Sequence, residues 1–296
     1  MTDPKRIRLR VPTRASRTIN ATLLVLVACT VAGLFFLDGR DVGSVSDFAK
    51  SAAATFADLG KMFFAPSAVA GHFSLEGPIE KLVNALGLGF INTTLGQALY
   101  AVLMTLGLGF LTTLIGAIIA LVGGLLAARN LSSARVSLAI KGFVAFIRAV
   151  PTVIWVLIFA IGAGLGSVAA VVGMSFHSIG YLIKAYSESF EELDSGVIEA
   201  LKASGANWLQ IVFQAVLPSS LGYLVSWTFV RFEINFTTAV AMGAAAGAGG
   251  IGYNLWMASY FLNIHEMGYI TYMILGIAII MEIAATGLKR RNSPRR

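Results

Sequence analysis

Charge is scarce in this chain. Only 12% of its 296 residues are Asp, Glu, Lys or Arg, against roughly a quarter in soluble domains. With 57% hydrophobic residues, that shortage excludes an ordinary water-soluble domain. Cysteine is nearly absent. Cys29 stands alone and has no partner for an internal disulfide. It reads as a small apolar residue on a lipid- or helix-facing surface. The three histidines form no cluster with Cys, so no metal site and no catalytic centre are expected. No G-x-x-x-x-G-K-[ST] phosphate loop is present, which excludes ATP hydrolysis by that route. One stretch, Gly247-Ala248-Gly249-Gly250-Ile251-Gly252, satisfies G-x-G-x-x-G. A dinucleotide site needs that pattern between a strand and a helix of a βαβ unit. Here it follows an apolar span, so Gly247, Gly249, Gly250 and Gly252 read as gate, hinge or packing glycines.

What the chain has instead is long runs without charge: 18–37, 82–128, 149–183 and 203–230. A bilayer crossing needs about 20 apolar residues. The spacing predicts an all-α membrane protein with six spans: 18–37, about 98–128, 143–161, 168–187, 219–241 and 267–288. Gly162-Ala163-Gly164-Leu165-Gly166-Ser167 marks the outer turn between the third and fourth. Residues 82–96 form a shallow or re-entrant lead-in. Two crossings over 82–128 would place Arg129, Arg135, Lys141 and Arg148 outside, against the positive-inside bias.

The net charge of +7 collects at the ends. Lys5, Arg6, Arg8, Arg10, Arg14 and Arg17 form a basic tail over 1–17. Lys289, Arg290, Arg291, Arg295 and Arg296 form another over 289–296. Both tails read as cytoplasmic topology determinants against anionic lipid, and no nucleic-acid partner is expected. The first apolar run is longer than a signal h-region and lacks a small-residue cleavage site. It is expected to stay as an anchor. Over 38–97 lies an extracytoplasmic segment. There Val45, Phe48, Ala52, Phe56, Leu59 and Phe63 recur every three or four residues. That spacing predicts an amphipathic helix on the outer membrane surface, with contact to a partner as the alternative.

The charged stretch 188–218 breaks the apolar pattern. Glu188, Glu191, Glu192, Asp194, Glu199 and Lys202 must sit in water or an interface. Glu199 to Ser204 is helix-forming, Gly205 permits a turn, and Ala206 to Val216 predicts a second short helix. Pro218 opens the next span, where its missing N–H costs little. Within this loop Glu199, Ala200, Leu201, Gly205, Ala206, Leu217 and Pro218 follow a spaced pattern. It resembles the E-A-A-x3-G-x9-I-x-L-P loop of ABC-importer permeases. Leu201 replaces the second alanine and Ala215 the isoleucine.

Downstream, Arg231-Phe232-Glu233-Ile234-Asn235 followed by the glycine-rich ending is similar to the R-F-D-I-N and G-A-G-G-I-G elements of PhnE-type phosphonate permeases. Arg148-Ala149-Val150-Pro151, His177-Ser178-Ile179-Gly180 and Ala127-Ala128-Arg129-Asn130 match further elements in order. The likeness covers roughly 98–285. It departs at Glu233 (usually Asp), at Thr152 (commonly Glu) and over Ala244–Ala246.

This resemblance implies a type I, MetI-like permease with its core over 98–288, in the cytoplasmic membrane of a bacterium. It implies a homodimer and two cytoplasmic ABC ATPases that dock on 188–218 and use ATP and Mg. It also implies an extracytoplasmic phosphonate-type binding protein. The expected cargo is phosphonate or a related oxyanion such as phosphate or phosphite. Arg231, Glu233, Asn235, His177 and Ser178 are the expected pathway residues.

Arg231 has its own physics. A buried guanidinium can hold a tetrahedral oxyanion bidentately, or it can brace the bundle against an acid such as Glu282 or a second copy's Glu233. Residues two apart on a helix do not face each other, so Arg231 and Glu233 each need a separate partner. An ion-coupled carrier is the alternative class, as is a permease for another small solute. The lack of a 20–50 residue internal repeat weighs against the carrier.

Overall fold

A computed structural model describes residues 21–22, 24–29, 45–64 and 94–292. Residues 82–93 of the lead-in, the basic tail over 1–17 and residues 65–81 of the extracytoplasmic segment lie outside them. The chain divides into two compact units, Met1–Leu59 and Gly60–Arg296. In the first, the described residues at 21–22 and 24–29 are helical, and Leu24, Val25, Leu26 and Val27 are exposed. They fall inside the expected anchor span. The expected amphipathic helix is α1, Val45–Phe64. Its last residues belong to the second unit.

All the regular secondary structure among the second unit's described residues is helical, joined by short turns. Helix α2, Thr94–Ala127, has 34 residues and spans about 50 Å at 1.5 Å per residue. Helices α3, Ala134–Ala149, and α4, Thr152–Ala163, follow. Then come α5, Ser167–Glu191, and α6, Ser195–Ala203. Helix α7, Trp208–Ile211, passes through a π turn at Val212–Val216 into α8, Leu217–Ala246. Helices α9, Gly250–Tyr260, and α10, Ile264–Asn292, complete the unit. Among the described residues, four apolar helices, starting at Gly96, Ser167, Trp208 and Ile264, are long enough to cross a bilayer. Much of their apolar surface faces outward, Ile118, Val122, Ile280 and Ile283 among it, as lipid contact requires.

The third expected span differs. The passage 143–161 is broken at Val150-Pro151, where α3 and α4 meet with an 89° bend. Proline fixes φ and pushes the preceding residue out of the helical region, and Val150 is extended at φ −92°, ψ 125°. Each limb is shorter than the about 20 residues of a perpendicular crossing. Trp155 pins the corner, donating Nε1–H to the Ile147 carbonyl at 3.0 Å.

The second helix of the charged loop also differs. It does not stop before Pro218 but runs on into α8. Proline removes an i→i−4 hydrogen bond and its ring crowds that carbonyl. The π turn just before it widens the helix there, with the Leu217 N–H reaching back to the Val212 carbonyl.

Close packing comes from glycines at a seven-residue spacing on α2. A Cβ on Gly109 would sit 3.1 Å from the Phe236 nitrogen of α8. One on Gly116 would lie 2.9 Å from Ser178 Cβ of α5, and one on Gly123 2.6 Å from Ile183 Cδ1. Small residues let helix backbones approach inside a membrane, where apolar side chains gain nothing by leaving lipid. The three helices are thereby held at fixed rotation and depth.

Candidate functional site

Where α2, α5 and α8 meet, a polar cluster is buried. Arg231 is 3% exposed, Asn235 and Ser178 are fully buried, and Thr113 is 3% exposed. Ser178 Oγ donates to the Met174 carbonyl at 2.7 Å. It accepts from Asn235 Nδ2 at 2.9 Å and from Arg231 Nε at 3.0 Å. One hydroxyl thus uses its single proton and both lone pairs. Asn235 Nδ2 also donates to Thr113 Oγ1 at 2.8 Å, and the Thr113 hydroxyl proton goes to the Gly109 carbonyl at 2.7 Å. The Arg231 guanidinium carbon lies 5.1 Å from the centre of the Tyr181 ring, a cation–π contact worth about 0.5–2 kcal/mol.

Among the described residues no carboxylate pairs with Arg231. Glu282, an expected brace, is exposed and accepts from Thr286 Oγ1 at 3.3 Å. Glu233 is half-buried and lies about 200° round α8 from Arg231. Arg231 Nη2 is buried with no hydrogen-bond partner. Leaving a buried donor unsatisfied costs about 1–3 kcal/mol, more for a charged group. Chemically the cluster is short of one acceptor, a role that an anion's oxygen can fill. His177, one residue before Ser178, is half-buried with its Nδ1 unpartnered.

The glycine-rich ending is a tight corner. Gly247 caps α8 in the left-handed region at φ 64°. Gly249 and Gly250 continue at φ 82° and 74°. Gly252 packs straight onto α8: a Cβ there would fall 1.8 Å from the Val240 carbonyl oxygen. The Ile251 N–H donates to Thr105 Oγ1 of α2 at 2.9 Å, tying α9 to the same helix that holds Thr113.

At one end of the bundle, α6 and α7 form the expected helix–turn–helix. Asp194 caps α6 by accepting from the Gly196 N–H at 2.9 Å. The helix stops in a Schellman arrangement: Gly205 N–H to the Lys202 carbonyl and Ala206 N–H to the Leu201 carbonyl, both 3.0 Å. That motif needs a left-handed residue, and Gly205 has φ 84°. Asn207 and Gln210 then form a reciprocal capping box for α7. Ile198, Ile211, Val212 and Val216 are buried in the core, with Leu201, Ala206 and Leu217 packed against it. Glu199, Ala200 and Pro218 stay exposed. Trp208 Nε1 donates to the Leu131 carbonyl at 2.9 Å and Asn130 Nδ2 to the Phe190 carbonyl at 2.7 Å. The segment is therefore fastened to the spans rather than hanging from them.

This arrangement can be set beside known proteins. Residues 120–296 match the family model described as binding-protein-dependent transport system inner membrane component. The chain belongs to this family. It is a multi-pass membrane protein with the type I ABC permease fold. A phosphate-import permease protein, PhnE, of Mycolicibacterium smegmatis is 34% identical over 57% of this chain and 32% of its own length. A phosphite transport system permease protein, PtxC, of Stutzerimonas stutzeri is 32% identical over 49% of this chain and 52% of its own. This chain thus spans about a third and about half of the two relatives. Among solved structures, an inward-facing MetNI methionine ABC transporter aligns over 67% of this chain and 96% of that one. Its TM-score is 0.59 at 23% identity, which speaks to fold alone.

Of the expected pathway residues, the fold brings Arg231, Asn235 and Ser178 into direct contact. His177 lies beside them, and Glu233 is not joined to them. Thr113 and Tyr181 were not expected. Tyr181 lies three residues after Ser178, a helical spacing that could have signalled it. Thr113 lies 122 residues from Asn235, and no local signal links the two.

Proposed function

We propose that this chain is the transmembrane subunit of an ATP-driven importer for phosphonate or a related phosphorus oxyanion. The observation that carries the cargo class is the Arg231 guanidinium, buried without a carboxylate and with Nη2 unpartnered. The names of the relatives, one importing phosphate and one phosphite, point to the same chemistry. Arg231 accepts the oxyanion's charge, and Ser178, Asn235 and Thr113 hold the guanidinium in place. Glu233 and His177 are the neighbouring groups on the path.

The chain works as a homodimer, since one such subunit builds half of a pore. Both termini face the cytoplasm. A cytoplasmic ATPase docks on each copy of the α6–α7 segment, with Glu199 and Ala200 exposed for contact. It uses ATP and Mg, and its closure is transmitted through the π turn into α8. That helix carries Arg231, so motion at the segment reaches the site along one continuous rod. The glycine corner at 247–252 is the gate or hinge at the other end. An extracytoplasmic binding protein delivers the solute.

The test is uptake into vesicles holding the permease, its ATPase and its binding protein. ATP-dependent uptake of phosphite, phosphate or methylphosphonate is expected, with none driven by an ion gradient alone. Uptake that follows a proton or sodium gradient without ATP overturns the ATPase coupling. ATP-driven uptake of methionine with no oxyanion uptake overturns the cargo class.

A further inference from the structure

A second cationic feature lies away from the Arg231 cluster. Between α3 and α5 is a cleft of about 240 Å³ lined by Lys141, Arg148, Lys184, Ser187, Glu188 and Glu191, among others. Its three cations are not equivalent. Lys141 is held by Glu191, Nζ to Oε1 at 2.7 Å, and the same carboxylate oxygen accepts the Arg129 N–H at 2.8 Å. Lys184 meets Glu188 at 3.4 Å, both side chains about half exposed. Such an i,i+4 pair with the lysine first is the weaker orientation, so it releases readily. Arg148 is exposed and, among the described residues, has no carboxylate partner. Arg148, with its two-pronged donor geometry, and the loosely paired Lys184 thus line one cleft, while the buried Ser187 hydroxyl donates to the Lys184 carbonyl at 2.9 Å.

The cleft also continues a line of polar residues. His177, Tyr181, Lys184, Glu188 and Glu191 follow one another on α5 at alternating four- and three-residue steps, which is one stripe of a helix. That stripe begins beside Arg231 and ends in the cleft. Ionisable side chains inside a span face protein or a watery cavity rather than lipid. A stripe of this length on one side of α5 therefore marks a polar seam through the bundle.

We infer that this cleft binds a phosphate-type group, with Arg148 and Lys184 as its ligands. Lys141, fixed by Glu191, sets the floor of the site. The cleft is at the end of the bundle that carries the α6–α7 segment, so its cytoplasmic placement rests on the orientation proposed above. Its anion-binding chemistry does not. The group arrives either on a free oxyanion leaving along the α5 stripe or on the headgroup of an anionic phospholipid.

The experiment uses the full permease purified with its ATPase. Binding of inorganic phosphate is followed by ³¹P NMR line broadening in detergent. Retention of phosphatidylglycerol against phosphatidylcholine is measured by native mass spectrometry. Wild type, Arg148→Gln/Lys184→Gln, Arg231→Met and the control Arg135→Gln are compared. The double variant is expected to lose at least about tenfold in one of the two affinities, while Arg135→Gln keeps both; Arg231→Met removes only the phosphate binding of the Arg231 cluster and leaves the cleft's share. Loss of phosphate binding assigns a free oxyanion, and loss of phosphatidylglycerol retention assigns the headgroup. Should the double variant bind both as wild type does, the cleft is no phosphate site. Phosphate binding abolished by Arg231→Met alone, with phosphatidylglycerol retention unchanged in the double variant, likewise overturns the inference, while leaving the proposed cargo class standing.

Discussion

Asn235 of α8 donates one side-chain nitrogen to both Thr113 of α2 and Ser178 of α5, at 2.8 and 2.9 Å. A single amide thus joins three helices at the depth of Arg231. Interhelical hydrogen bonds in membranes average about 0.6 kcal/mol and reach about 1.7. Asn235→Ala removes two and loosens the serine that holds Arg231. It is expected to destabilise the purified protein by about 1–3 kcal/mol, with Thr113→Val costing less. Thermal unfolding in one detergent measures both. An unchanged midpoint for Asn235→Ala rules out the three-helix tie.

Arg231 separates cargo binding from bracing. Lysine keeps the charge and loses the fork; methionine loses both. Under the proposed function, uptake falls in both variants, most in Arg231→Met, while stability holds or rises because an unsatisfied buried charge is gone. Wild-type uptake by Arg231→Met would remove the guanidinium from the path. A large fall in melting temperature for the same variant would make it a brace.

Gly205 offers a cleaner test of docking than its neighbours. Nothing lies within 4 Å of where its Cβ would be, so only its φ of 84° resists substitution. A non-glycine residue there costs about 1–2 kcal/mol, less for asparagine. Gly205→Asn is expected to keep both fold and ATPase. Gly205→Trp should insert normally yet lose co-purifying ATPase and ATP-driven uptake. Retention of both by the tryptophan variant places docking elsewhere.

The glycine corner divides in two. A Cβ on Gly252 would collide with the Val240 backbone at 1.8 Å, whereas Gly247 has nothing within 4 Å. Gly247→Ala therefore meets only the left-handed penalty, about 1–2 kcal/mol. Gly252→Ala must push α9 off α8, so its loss of stability should be several times larger. Equal melting temperatures for the two variants contradict the packing described here.

Topology is open to cysteine labelling in a Cys29→Ser background. With an impermeant thiol reagent on intact cells, Ala54→Cys on α1 should label and Ala134→Cys at the start of α3 should not. The reverse pattern inverts the orientation, and with it the side on which the ATPase docks.

Much of the fold is legible along the chain because its causes are local. Lipid selects long charge-free runs, so α2, α5, α8 and α10 stand near their expected limits. Gly164 and Gly166 break the chain between α4 and α5 at positive φ, and Gly205 ends α6 in the same way. The charged residues from Glu188 to Lys202 had to leave the bilayer. Even the amphipathic spacing from Val45 to Phe63 became a helix. The bend at Val150-Pro151 was half legible: the proline was plain, but an apolar run reads alike whether or not its helix turns by 89°.

The partners of Arg231 were beyond the sequence. A helix apolar all round carries no signal of which side faces which neighbour, because lipid and protein interiors reward it equally. Rotation and depth are set by where backbones can approach, at Gly109, Gly116 and Gly123 of α2. Only that packing brings Thr113 to Asn235 and Ser178 to Arg231. The sequence by itself determined a multi-span membrane protein with a fastened charged loop, since solvent preference and glycine backbone freedom act residue by residue. Tertiary structure alone decided that Arg231 answers to a hydroxyl and an aromatic ring rather than to an acid. It likewise decided that Arg148 and Lys184 share a cleft, since both follow from the register of one helix against another.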